Sequence, residues 1–263
     1  MNKNKGMTIE NELLDHFKTK IKKYGALYVG NNINKFITSP EIDKALRIYI
    51  RKKGSARQKK STLDVLRGKF YESLTKLLLN EYFKNCKGYS HIRAVLYSER
   101  DTLPNGLKDK IDNIKLIKKG KEAVKKPDID VIVWSKKKQD RAFFISVKGT
   151  ARERIGQFLS NLFIFDPIVM QAKYGDKFNV ESKIKFKIAF FCYDLARQMD
   201  LSAESKAEIE KKRKGTKQLE AYLIDDDPNI SGGIYVPNNL YKLDKVRGFS
   251  GLVSRIEEFF NEK

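Results

Sequence analysis

The chain is poor in the residues on which many enzyme classes depend. It holds two histidines, His16 and His91, in unrelated segments. A histidine-metal nuclease hairpin or a Ser/His or Cys/His triad therefore lacks an imidazole with supporting neighbours. Cys86 and Cys192 are the only cysteines, too few for a thiolate zinc site and too far apart for a CxxC redox motif. That usage fits a reducing cytoplasm. Neither GxxxxGK[ST] nor GxGxxG occurs, so no phosphate-cradling loop of those kinds is present. No apolar run reaches the roughly 18 residues of a membrane span. The opening "MNKNKGMTIENELL" has no apolar core for a signal peptide. The expectation is a soluble, cytoplasmic protein without a membrane partner.

Negative charge is also in short supply. Against 54 Lys+Arg stand 33 Asp+Glu, a net charge of +21 in 263 residues. Such an excess steers phosphate backbones toward the surface and points to a polyanionic partner. A lysine-heavy surface also serves solubility, so charge alone does not define a function. With 41% hydrophobic and 11% aromatic residues the chain can bury a real core.

Helix punctuation organises the first sixty residues. "ENELLDHFKTKIKKYG" ends at Gly25, and "SPEIDKALRIYIRKKG" opens on Ser39-Pro40 and closes at Gly54. "RKKGSARQKKS" follows as a charged connector. We expect a helical basic N-terminal region over 1–58 and a larger domain over 59–263. From Ser61 a long helix is predicted, with Leu63, Leu66, Phe70, Leu74, Leu77 and Leu78 as its main apolar stripe. Val65, Gly68, Glu72, Leu79 and Phe83 cluster on another side, which predicts cover on both sides and places Glu72 in a partly apolar face.

Two strands, "IDVIVW" and "AFFISVK", are expected to form a hairpin through "SKKKQDR". Later candidates are "KIKFKIAFFCYD", where Ile184, Phe186, Ile188 and Phe190 alternate with lysines, and the shorter "EAYLI" and "GGIYV". "SGLVSRIEEFFNEK" reads as a closing amphipathic helix. The fold class is α/β, a mixed central sheet flanked by helices, with a small helical N-terminal region.

Strand alternation puts Asp128 and Asp130 on one face of the first strand, and Phe144, Ser146 and Lys148 on one face of the second. As hairpin neighbours, the strands would bring Asp130 and Lys148 together at one end of the sheet. Carboxylate oxygens suit a hard cation such as Mg²⁺, which polarises a phosphoryl group and lowers the pKa of water. A nearby lysine can orient or deprotonate that water.

These residues, Pro127-Asp128, the "DVIV" strand led by Asp130, and Ser146-Val147-Lys148 in place of (D/E)-x-K, resemble the PD-(D/E)xK nucleases. "SVKGTARERIGQ" and "GKFYESL" further resemble type II restriction endonucleases of the BsaWI-like and EcoRII-like branch, which cut sites with CC/GG steps. The resemblance covers residues 61–160. It implies a restriction-endonuclease-like core, catalytic roles for Asp130, Lys148, Glu72 and Asp128, and Mg²⁺ held by Asp130 and Glu72. It also implies DNA contacts from Arg152, Glu153, Arg154 and Gln157. Further expectations are double-stranded DNA as substrate, a homodimer, and a cognate DNA methyltransferase. Several relatives carry a second glutamate beyond the lysine, where this chain has "FLSNLF" with Asn161 and no acid. The second carboxylate is therefore Glu72 or Asp128.

Blander readings stay open for each residue. Asp128 can cap the strand beside Pro127, Glu72 can be a solvated helical residue, and Arg152 and Arg154 can contact phosphates only. A structure-specific junction or repair nuclease shares the metal site without base reading. A non-catalytic basic DNA- or RNA-binding protein explains the charge but not the Asp130/Lys148 pairing.

Overall fold

The computed structural model describes residues 4–36, 39–50, 56–118, 129–150, 178–194, 233–235 and 246–262. Four helices come first: α1 (Asn4–Tyr24), α2 (Ala26–Asn31), α3 (Ser39–Ile50) and α4 (Ala56–Asn85). Gly25 separates α1 from α2 with φ of +85°, a left-handed conformation that a Cβ would strain. The long helix α4 starts five residues earlier than its apolar stripe suggests. Ala-Arg-Gln-Lys-Lys are good helix formers, so residues 56–61 of the charged connector make its first turns.

Then come β1 (Ile92–Leu96), a 3₁₀ turn (Tyr97–Thr102), α5 (Asn105–Asp112), β2 (Lys115–Lys118), β3 (Val131–Ser135) and β4 (Arg141–Thr150). β5 (Phe178–Glu181), β6 (Lys185–Asp194), β7 (Gly233–Tyr235), β8 (Val246–Arg247) and α6 (Phe249–Asn261) follow. The main sheet has the order β1-β3-β4-β6-β7-β8, and β2 pairs with β5 in a separate antiparallel ribbon. β1-β3-β4 are antiparallel, whereas β4, β6, β7 and β8 run parallel. The expected α/β class with a mixed, helix-flanked sheet is therefore what the protein has. The predicted β3–β4 hairpin is present, "GGIYV" supplies β7, and "EAYLI" lies outside the described residues.

Alternation sorts the two faces of the sheet. Val131, Val133, Phe143, Ile145, Val147, Ala189, Phe191 and Tyr193 pack in one cluster with Phe70, Leu74, Leu78 and Phe83 of α4 and with Phe249, Ile256 and Phe259 of α6. Phe17, Ile21, Val29 and Ile42 of the N-terminal helices join that same cluster, so α1 to α3 share a core with α4. Burying each such Phe or Leu contributes about 1.5–3 kcal/mol. The other face carries Ile132, Phe144, Ile188, Phe190 and Cys192, which are also buried. A sheet covered on both faces explains why "VIVW" and "IAFFCY" are nearly continuous apolar runs.

The two-sided cover expected for α4 holds in its second half only. Leu79 and Phe83 are fully buried, but Val65 is exposed.

Candidate functional site

Asp130 stands one residue before β3, at the point where β3 and β4 part. Its backbone N–H donates to Ile145 O at 3.1 Å, and its carbonyl accepts from Tyr97 N at 2.9 Å, so it is held by both neighbouring strands. Extending the Val131↔Ile145 register by one residue sets Asp130 opposite Ser146. Directly opposed residues share a face, and Lys148 follows two residues on along the same face. The side chains complete what the register arranges. Lys148 Nζ donates to Asp130 Oδ2 at 2.9 Å, Val147 N donates to the same oxygen at 2.7 Å, and Ser146 Oγ lies 3.5 Å from it.

The carboxylate thus replaces a backbone acceptor for Val147 where the ladder ends. Lys148 is 8% exposed and Asp130 15%. An ion pair this dry is strongly coupled and costly to break from one side. The convergence expected from strand alternation is present in the geometry.

Glu72 belongs to another layer, and its height along the sheet follows from its neighbours on α4. Asn80 brackets Ala94 of β1, donating to its carbonyl at 2.8 Å and accepting from its N–H at 2.9 Å. One turn earlier, Lys76 Nζ reaches both oxygens of Glu99 at 2.7 Å, and Glu99 accepts from Leu96 N. The helix therefore runs antiparallel to β1, about one turn for every two strand residues. One turn before Lys76, Glu72 lies beyond Leu96, where β1 gives way to the 3₁₀ turn.

A second tether agrees. The Tyr71 ring stacks on Tyr193 with centroids 4.4 Å apart and planes 19° apart, and Tyr193 follows Cys192, the register partner of Lys148. Thr75 Oγ1 lies 2.9 Å from Tyr193 Oη and donates to Tyr71 O at 2.8 Å. Burial pushes the Tyr193 phenol's pKa well up, so this hydroxyl stays protonated and available as a donor. Glu72 is half-buried, and its Oε1 lies 3.9 Å from where a Cβ on Gly68 would stand, so the carboxylate folds back toward Gly68. This sets Glu72 on the α4 side of the sheet, the face of Val147 and Tyr193, whereas Ser146 and Lys148 belong to the opposite face.

Asp128 and the proposed base-reading residues Arg152, Glu153, Arg154 and Gln157 lie outside the described residues, as does Asn161. Among the described residues no three His, Cys, Asp or Glu side chains gather closely enough to hold a metal ion. A carboxylate such as Asp130 is the kind of donor that hard divalent cations take, and in this structure Lys148 neutralises it. Sequence reasoning missed Tyr71, Thr75 and Tyr193, which fix the height of Glu72. The one signal for them was the spacing of Tyr71 and Thr75, one turn apart around Glu72.

No known protein family matches the chain, and no curated protein matches it. Among solved structures the chain is similar to the restriction endonuclease PspGI in its complex with substrate DNA, at 17% identity over 97% of this chain and 93% of that one, with a TM-score of 0.46. It is also similar to the pre-specific complex of the restriction endonuclease BsaWI with DNA, at 14% identity over 80% of this chain and 70% of that one, with a TM-score of 0.40. Among the described residues no helix is long and apolar enough to cross a membrane.

Proposed function

We propose that the protein is a Mg²⁺-dependent, site-specific endonuclease that hydrolyses both strands of duplex DNA. The observation that carries this reading is the Asp130–Lys148 pair at 2.9 Å, set where two antiparallel strands part, in a chain of net charge +21. Asp130 and Glu72 would hold the cation, with Asp128 as the alternative to Glu72. Bound Mg²⁺ supplies Lewis-acid polarisation of the phosphoryl group and makes water a better nucleophile.

The chain's own groups do the rest. Lys148 positions the attacking water and offsets the charge that grows on the phosphoryl oxygens in the transition state. Asp130 would hold the cation, and Lys148, which shares its face of the hairpin, would meet the phosphate. Ser146 stands where the motif usually has an acid, which leaves the second carboxylate to come from α4. Lys148 continues in sequence to Arg152, Glu153, Arg154 and Gln157, and that closeness couples base reading to catalysis. Arginine's planar fork matches guanine O6 and N7, and glutamate accepts from cytosine N4, so a CC/GG element is the expected target. A palindromic target calls for a homodimer, because each chain offers one such site. A cognate methyltransferase would protect host DNA.

The test is a digest of plasmid and phage DNA with and without Mg²⁺, comparing the native chain with Asp130→Ala, Lys148→Ala and Glu72→Ala. Discrete bands that appear only with Mg²⁺ and are lost in each variant, while binding in Ca²⁺ persists, support the reading. Cleavage restricted to branched junctions moves the assignment to a structure-specific nuclease. A mobility shift without any cleavage leaves a basic binding protein. Inactivity of Asp128→Ala with full activity of Glu72→Ala would exchange the second carboxylate.

A further inference from the structure

Four large hydrophobic side chains stand exposed among the described residues, and three of them share one corner. Tyr24, Leu27 and Tyr28, exposed by 43%, 38% and 47%, meet where α1 turns into α2 at Gly25. The Tyr24 and Tyr28 rings lie 5.9 Å apart, and Phe36 packs on both, at 5.5 and 6.2 Å. Cations rim this group. Lys23 Nζ lies over one face of the Tyr24 ring, 4.8 Å from its centre, and Lys35 Nζ over one face of the Tyr28 ring at 5.9 Å. Lys20 stands one helical turn before Tyr24 on α1. From His16 to Pro40 the sequence has five lysines and no Asp or Glu; one of them, Lys18, pairs with Asp15 just before the stretch.

Phe36 packs against the core, but Tyr24 and Tyr28 remain exposed beyond it. Phe17 and Ile21 of α1, with Ala26 and Val29 of α2, are the side chains that anchor the two helices in the core. Tyr24, Leu27 and Tyr28 turn apolar surface to solvent instead. We propose that this corner is a stacking platform for the unpaired nucleotides of a single-stranded nucleic acid, with bases on Tyr24 and Tyr28 and phosphates on Lys20, Lys23 and Lys35. Every base has a π-face, so aromatic stacking beside a positive rim gives affinity without sequence choice. A second copy of the chain fits this surface poorly. A two-fold contact would set the same lysines against each other with no acid from this stretch to pair them. The platform does not depend on the nuclease reading and can hold or fail independently of it.

The experiment is fluorescence anisotropy of the full-length protein in EDTA with a labelled oligo(dT) and with a duplex of equal length. Tyr28→Ala should weaken oligo(dT) binding by about tenfold or more. Tyr28→Phe should leave it near native, and duplex affinity should stay unchanged in both variants. Tyr28→Trp should give a fluorescence that oligo(dT) quenches, which reads the stack directly without removing a ring. Replacing Lys20, Lys23 and Lys35 together by Gln should lower the salt dependence of oligo(dT) binding. Unchanged oligo(dT) affinity in Tyr28→Ala, or an equal loss on duplex, overturns the proposal. So does a shift of oligomeric state in sedimentation, which would make the corner an interface between copies. Loss of binding to phosphatidylserine vesicles with oligo(dT) binding intact would assign it to a membrane surface and overturn it as well.

Discussion

A single oxygen, Asp130 Oδ2, gathers the Lys148 ammonium and the Val147 N–H within 2.9 Å. Lys148→Met keeps an unbranched apolar stem but leaves a largely buried carboxylate without its cation, so stability should fall by about 1–3 kcal/mol. Asp130→Asn in the same chain should recover most of that loss, because no charge is then buried alone. Urea unfolding of both single variants and the double variant reads this coupling, and simply additive costs would argue against it. His91 gives a pH-dependent counterpart. Burial holds its imidazole below the ordinary pKa of 6.5, and Lys137, Arg93 and Lys138 push the same way. A depressed folded pKa means that the unfolded chain takes up the proton first as pH falls. Stability is therefore complete above about pH 6.5 and declines as pH drops from there toward the folded pKa. In His91→Gln, the difference in Tm between pH 7.5 and pH 5.5 should shrink; an unchanged difference would place the acid sensitivity elsewhere.

At the scale of elements, much of the pattern was legible and the exceptions have physical causes. Gly25 and Ser39 marked helix ends because one takes a positive φ and the other begins α3. β3, β4 and β6 showed as apolar runs dense in β-branched and aromatic residues. β1 escaped notice because "IRAVL" carries an arginine and an alanine in an unremarkable pattern; its strand state comes from pairing with β3 and from Asn80 bridging to Ala94. The contact of α2 with α6 was equally invisible. A Cβ built on Gly30 overlaps the Phe249 ring, lying 2.6 Å from its Cγ, while Asn31 Oδ1 accepts from Ser250 N at 3.0 Å. Gly30→Ala should cost about 1–3 kcal/mol through overpacking. Combining it with Phe249→Leu should lower that cost, as measured by thermal unfolding. An uncompensated sum of the two penalties would mean that backbone conformation, not the ring, requires glycine.

For the whole molecule, the net charge of +21 predicts DNA binding that falls steeply with salt. Arg51, Lys52 and Lys53 lie outside the described residues, and they are expected to contact phosphate without reading sequence. Neutralising all three to Gln should reduce the slope of log K against log salt by about 0.9 for each phosphate that these side chains neutralise in the native chain. The cleaved sequence should stay the same in a digest. A changed cleavage sequence would show that this segment reads bases.

The sequence by itself determined the α/β class, the β3–β4 hairpin and the meeting of Asp130 with Lys148. Alternation has a period of two and a short hairpin fixes register, so these two local facts place both side chains on one face at one end. It did not determine the height of Glu72, the shared core of α1 to α4, or the gathering of Tyr24, Tyr28 and Phe36. The height of Glu72 depends on how far α4 slides along β1 and where Tyr71 meets Tyr193, residues far apart in the chain, and the ring cluster depends on how the turn after α2 folds Phe36 back on Tyr24 and Tyr28. Periodicity shows which face of a helix is buried, but it carries no information about the depth at which that helix docks. Only the packing of one layer on another decides that.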